Sequence, residues 1–247
     1  MTINLTIPRS WKEVTLPQLR ILARHSLRAM PREESATALF CKLAGVKIIN
    51  QPSLAGKAPK DGLLCRDRKG HKFIIHGWQM SEFARMLDWY FDEVPVDIVT
   101  PARVDRQLME TTFGRYFHAD ALLFAAQNGG GKRMVRRALA DLGDHRLHLS
   151  DAEAVAVMMW WKGFKQWLID QYPDVFIAPE EDKGKHEAPG LYSPIKIRQN
   201  IMLLLNDGHP QDNDAIENSN VHDVLSALQH QIEVAKKEEE MMKKYRN

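Results

Sequence analysis

The stretch from Ser150 to Gln171 limits what this chain can fold into more than any other feature. Behind Ser150 and Glu153, spaced as a capping box, it runs from Ala154 to Trp161 without a charge and continues through Phe164, Trp167 and Leu168. Read as a helix, the segment is apolar on more than one side, and such a helix must be enclosed by other elements. It is expected to be the central helix, with Trp160, Trp161, Phe164 and Trp167 supplying much of the buried aromatic surface. Tyr172-Pro173 marks its end, because proline disfavours helical geometry in the residue before it. The apolar run is far short of the roughly 20 residues that a membrane-spanning helix needs, so no span is expected.

Helices are expected to dominate the rest. Thr15 and Gln18 form another capping box around Pro17, predicting a helix to about Met30 with Leu16, Leu19, Leu22 and Leu27 on its buried side. Pro31 breaks it, and a second helix from about Glu33 ends at Gly45. Ser81 is expected to cap a helix carrying Phe83, Met86, Leu87 and Tyr90. Phe113–Gln127, Lys132–Leu142, Pro194–Asn206 and Val221–Arg246 complete the set. The last places Val221, Val224, Leu225, Leu228, Ile232 and Ala235 on one stripe, beyond which only charge continues at core spacing.

Strand signals are few. Residues 2–7 alternate polar and apolar until Pro8 stops them, predicting a short N-terminal strand. Leu63–Arg66 and Lys72–His76 flank Asp67-Arg68-Lys69-Gly70 and predict a β-hairpin. Residues 46–62 read as loop, as do the polar residues 209–220. The expected fold is mainly α, a helical globular fold with a short N-terminal strand and a minor β-hairpin. Its expected division is a helical domain over 1–177, a polar loop or linker over 178–193 rich in charge, Pro and Gly, and a C-terminal helical segment over 194–247.

A chain of 247 residues buries enough surface to be stable without staples. Cys41 and Cys65 are too few for a disulfide framework and are expected to be small buried residues in a reducing compartment. The N-terminal segment carries no secretory signal pattern, so the expected location is the cytoplasm. Charge is unevenly placed: residues 1–80 hold 14 Lys/Arg against 5 Asp/Glu, a net of +9, leaving −7 for residues 81–247. Such asymmetry points to a nucleic-acid face, an acidic partner, or attraction between parts of one molecule.

No motif carries a reaction. Gly129-Gly130-Gly131-Lys132-Arg133 lacks both the first glycine and the Ser/Thr of a phosphate-binding loop, since Ala126 and Arg133 stand there. His71 and His76 flank the hairpin arm, His145 and His148 lie in a polar segment, and none has ligand partners at a metal-binding spacing. No enzyme, cofactor or metal is therefore expected. Lys132, Arg133, Arg136 and Arg137 put four cations on two turns, a candidate phosphate-contacting face. At the C-terminus, Lys236, Lys237, Met241, Met242, Lys243 and Lys244 form a candidate partner-binding arm, with the methionines as adaptable apolar contacts and Glu239–Lys243 and Glu240–Lys244 as helix-stabilising pairs.

Three segments together resemble proteins from the tail-gene region of Bacteroidetes phages and prophages: IPRSWKEVTLPQL at residues 7–19, MMWWKGFKQWLIDQYPDVF at 158–176 and IMLLLNDGHPQDNDAIENSNVHDVLSAL at 201–228. These proteins look like tail assembly chaperones. The resemblance implies a non-enzymatic protein of the bacterial host's cytoplasm that holds a tape-measure-like client, and it brings no catalytic residues. The alternative is a nucleic-acid-binding accessory protein using the basic first third and the Lys132–Arg137 cluster, with nucleic acid the less favoured partner.

Overall fold

The computed structural model describes residues 5–27, 32–49, 62–95, 97–176, 194–206 and 209–246. Helices account for 67% of it, beside one small antiparallel sheet, so the fold is mainly α. The chain divides into two compact units, one of residues 1–101 and 151–163, the other of 102–150 and 164–247. The expected 178–193 linker lies outside the described residues, and the division runs instead through the long apolar helix.

In the first unit, α1 (Leu16–Ser26) begins as its sequence requires, with the Thr15 N–H donating to Gln18 Oε1 at 2.9 Å. It ends at Ser26, short of the expected Met30, and Leu27, expected on the buried side, is exposed. Helix α2 (Arg32–Ala44) closes at Gly45, whose φ of +70° a side chain rarely adopts. Strand β1 (Lys47–Ile48) follows inside a segment expected to be loop. It pairs with β2 (Gly62–Arg66), which pairs with β3 (Lys72–His76) in the predicted hairpin, giving the order β1-β2-β3. Residues 5–8 form no strand, and residues 1–4 lie outside the description. Ile7 is buried by packing, as are Trp11 and Val14.

Helix α3 (Gly77–Met86) starts four residues before the predicted Ser81 cap. β3 runs straight into it, and the His76 N–H is taken by Gln79 Oε1 at 2.9 Å. The helix breaks at Leu87, and α4 (Asp88–Asp92) carries Trp89 into the core, where it meets Trp11 edge to face at 5.1 Å. Tyr90 donates its hydroxyl to the Leu22 carbonyl, and burial pushes its pKa up to about 12. Cys41 and Cys65 are both buried free thiols; the hydrogen bond to Cys65, with burial second, holds Cys41 protonated.

The charge asymmetry is partly spent inside this unit. Arg32 pairs with Asp88 at 2.8 Å and Asp92 at 2.7 Å, Lys12 with Asp97 at 3.3 Å, and Arg20 with Glu153 at 3.9 Å. In each pair a cation from the first 80 residues meets a carboxylate from the remainder.

In the second unit, α5 (Phe113–Ala125) is capped by Thr112 and forms a helical hairpin with α6 (Gly131–Asp141). Helix α7 (Asp151–Gln171) gives residues 151–163 to the first unit and the rest to the second. Here Phe164 and Leu168 are buried, while Trp167, expected in the core, is only half-buried and edges onto His222. Lys165 reaches the buried Asp120 of α5 at 3.1 Å. Helix α8 (Pro194–Leu205) and α9 (Asn213–Asn218) precede α10 (Val221–Arg246); α9 is too short and polar to show a sequence period. Thr111 and Phe113 exchange backbone bonds with Val221 and Ser219, pinning the start of α10 beside that of α5.

Asp144, in the loop after α6, is buried. Burial opposes its charge, but Arg146 Nε at 2.9 Å and the Arg103 N–H at 2.7 Å win, and its pKa falls below the usual carboxylate value. Stability from this group is therefore present above the ordinary Asp pKa of about 3.9 and lost as pH falls through the lower native value. Asp144→Asn is expected to cost about 1.5–3 kcal/mol at neutral pH, the worth of hydrogen bonds to a charged group. In urea titrations the difference from wild type should shrink below pH ~4; a gap independent of pH would contradict this account.

Two of the three tryptophans of α7 supply a second check. Trp160→Ala is expected to cost about 3–5 kcal/mol and Trp167→Ala about half that, because only the first is fully enclosed. Equal shifts in the denaturation midpoint would show that Trp167 carries more of the core than its exposure indicates.

Candidate functional site

Helix α10 sets the geometry of the predicted arm. Val221, Val224, Leu225 and Leu228 are buried, but Ile232 is only half-buried and Ala235 is exposed. The stripe thus leaves the core two turns earlier than its sequence implies. The last tie to the body is polar: Gln229 donates to Asp174 Oδ2 at 2.8 Å and to Glu233, and Lys236 pairs with Asp174. Lys236 is therefore an anchor of the helix rather than part of a free arm. Its hydrogen bond lowers the Asp174 pKa.

Beyond Lys236 every side chain described is exposed, including Lys237, Met241, Met242, Lys243 and Lys244. The predicted Glu239–Lys243 pair forms at 2.7 Å, lowering the Glu239 pKa and raising that of Lys243. Val234 is 39% exposed, Met241 53% and Tyr245 91%. At about 100° per residue these three fall within roughly 40° of one another. They form an apolar line on a face different from the buried stripe, with Lys237 and Lys244 along one side and Glu238 on the other. Sequence reading missed Val234 and Tyr245. Their spacing of seven and then four residues was visible, but its meaning depends on where the core ends.

The four cations of the alternative site, Lys132, Arg133, Arg136 and Arg137, share the exposed side of α6, opposite the buried Val135, Ala138 and Leu139. Arg136 is partly engaged, donating to the Leu147 carbonyl at 3.1 Å. The preceding glycines have a structural reason. Gly129 and Gly131 have φ of +102° and +61°, and a Cβ on Gly130 would meet the Ala125 carbonyl oxygen at 2.8 Å. They make the turn between α5 and α6 possible.

Among the described residues, no group of three or more His, Cys, Asp or Glu is placed to hold a metal ion. His71 instead braces the hairpin turn through Asp67, and His145 and His148 are exposed. Nor is any described helix long and apolar enough to cross a membrane. No family model, curated protein or solved structure matches the chain.

Removing residues 238–247 is expected to leave the circular dichroism melt of the folded protein unchanged, since no core residue lies beyond Leu228 on α10. A fall in melting temperature comparable to that of a core substitution would show that the end of α10 packs on its own body.

Proposed function

We propose that this chain is a non-enzymatic binding protein that holds a helical protein client along the exposed end of α10. The observation that carries the reading is the line Val234, Met241, Tyr245. It places an aromatic and two aliphatic groups in solvent on a helix whose core packing needs none of them. Amphipathic helices dock through apolar residues at such spacings, and Tyr is enriched among the residues that dominate interface energy. Met241, flexible and polarisable, suits a client surface of variable shape. The flanking Lys237, Lys244 and Glu238 would set orientation and suppress wrong partners.

The specific form of the proposal is a phage tail assembly chaperone of the bacterial host's cytoplasm, with a tape-measure-like protein as client. It is supported by the likeness of residues 7–19, 158–176 and 201–228 to tail-region proteins. Elongated helical clients require an accessible helix more than a pocket, and α10 offers one. The second reading, a nucleic-acid-binding accessory protein, draws on the four exposed cations of α6.

The test is affinity capture of the tagged full chain from induced cells, with mass spectrometry of what is retained. A long helical protein encoded beside this chain is the expected capture. Met241→Glu combined with Tyr245→Glu is expected to reduce its recovery at least about tenfold, given hot-spot values of ~2 kcal/mol or more, with the melt unchanged. Undiminished recovery by this variant would overturn the role of α10. Retention of nucleic acid alone, lost when Lys132, Arg133, Arg136 and Arg137 are replaced by Gln, would favour the second reading.

A further inference from the structure

The sheet of the first unit has one face that buries Cys65 and Ile75 and another that is open. Residues directly opposite in neighbouring strands share a face, and the register pairs Lys47 with Arg66 and Arg66 with Lys72. Three cations therefore stand in one row across all three strands on the open face, and all three are exposed. With strands about 4.8 Å apart, the row puts three positive charges within roughly 10 Å. Like charges placed directly opposite destabilise a sheet, and no core contact requires them here.

Arg68 and Lys69 extend the positive charge into the hairpin turn, where a Cβ on Gly45 would collide with the Arg68 guanidinium. The carboxylate in this cluster is already engaged. Asp67 accepts the His71 N–H at 2.8 Å, and its other oxygen lies 2.9 Å from His71 Nδ1. It closes the turn instead of neutralising the row. Residues 1–101 and 151–163 hold 16 Lys/Arg against 12 Asp/Glu, a net of +4. Lys47, Arg66, Arg68, Lys69 and Lys72 against Asp67 also give +4, so this end of the sheet carries the unit's whole excess.

We propose that the open sheet face binds single-stranded nucleic acid through its phosphate backbone, with Lys47, Arg66 and Lys72 as the contact row. A nucleic-acid strand brings one phosphate per nucleotide together with bases that can stack, so it offers anions to the row and apolar faces to its neighbours, whereas an acidic peptide offers only the anions. Leu64 and Ile74 come next on the same face, both partly exposed, and Trp78, two residues beyond His76, is 72% exposed. Apolar and aromatic groups beside a cationic track suit unstacked bases. This surface is independent of α10, so either proposal can fail alone.

The test is fluorescence anisotropy of a labelled 20-nucleotide oligothymidine with the full chain. If the row neutralises three phosphates, affinity should fall about 20-fold between 50 and 200 mM salt, from a slope of roughly −0.7 per phosphate. Lys47→Gln with Arg66→Gln and Lys72→Gln should bind at least tenfold more weakly and melt at or above the wild-type temperature, because the cross-strand repulsion is gone. Should that variant fail to fold, Arg66→Gln alone supplies the readout, with the salt slope shallower by about 0.7. Substituting the four α6 cations should leave binding intact. The proposal is overturned by absent binding at 50 mM salt, by loss of binding only with the α6 substitutions, or by polyglutamate competing as well as unlabelled oligothymidine.

Discussion

The fold depends on enclosing α7. Over residues 151–163 its Ala152, Ala154, Ala156, Val157, Trp160 and Trp161 are all buried, and over the remainder Phe164 and Leu168 are. At about 1.5 Å per residue, 21 residues give a helix of roughly 31 Å, long enough for one element to serve two cores. The small residues near its start let neighbouring backbones approach closely, while the tryptophans demand large pockets. This explains why so much of the remaining sequence is committed to helices with one apolar side. It also explains why Trp167, which follows the same apolar run, is not equivalent to Trp160: the two belong to different units and meet different surroundings.

What was legible in the sequence was local. Thr15 with Gln18 and Gly45 after α2 act through backbone groups within a few residues, so their meaning needs no tertiary knowledge. β1 was illegible because its two residues become a strand only by pairing with Arg66 and Cys65, across a long separation. The start of α3 was misplaced because no turn separates it from β3, and Gln79 was not recognised as the partner of the His76 N–H. Over residues 5–8, where no strand forms, burial of Ile7 by packing gives the same pattern as a strand. At the candidate site, Met241 and Met242 stood out against their charged neighbours. Val234 and Tyr245 did not, since a sequence stripe does not reveal that the core stops at Leu228.

The charge division has the same character. As a sequence property it suggested a basic third facing a partner, yet Arg32, Lys12 and Arg20 find their carboxylates within their own unit. Arg32 also lies over the Phe91 ring at 5.0 Å, so it joins α2 to α4 through its planar face as well as its charge. Such pairs reduce self-repulsion within the unit. They also expose what remains, because once they are formed the excess is no longer spread along 80 residues. It is concentrated at one end of one sheet.

Two surfaces therefore break local rules without any core contact to account for them. One places like charges opposite each other on neighbouring strands, and the other exposes Tyr245, Met241 and Val234 on a helix that is charged elsewhere. Native sequences agree with their folds at most positions, and departures concentrate where something other than folding is served. Both surfaces are built on regular backbone, so their side chains are held at fixed spacings rather than in a loose tail. For the sheet, three neighbouring cations on adjacent strands are complementary to a polyanion. For α10, the apolar line is narrow and flanked by charges of both signs, which suits a single helix better than a broad hydrophobic interface. The two surfaces lie in different units and differ in chemistry, one cationic and the other apolar, so neither proposal leans on the other.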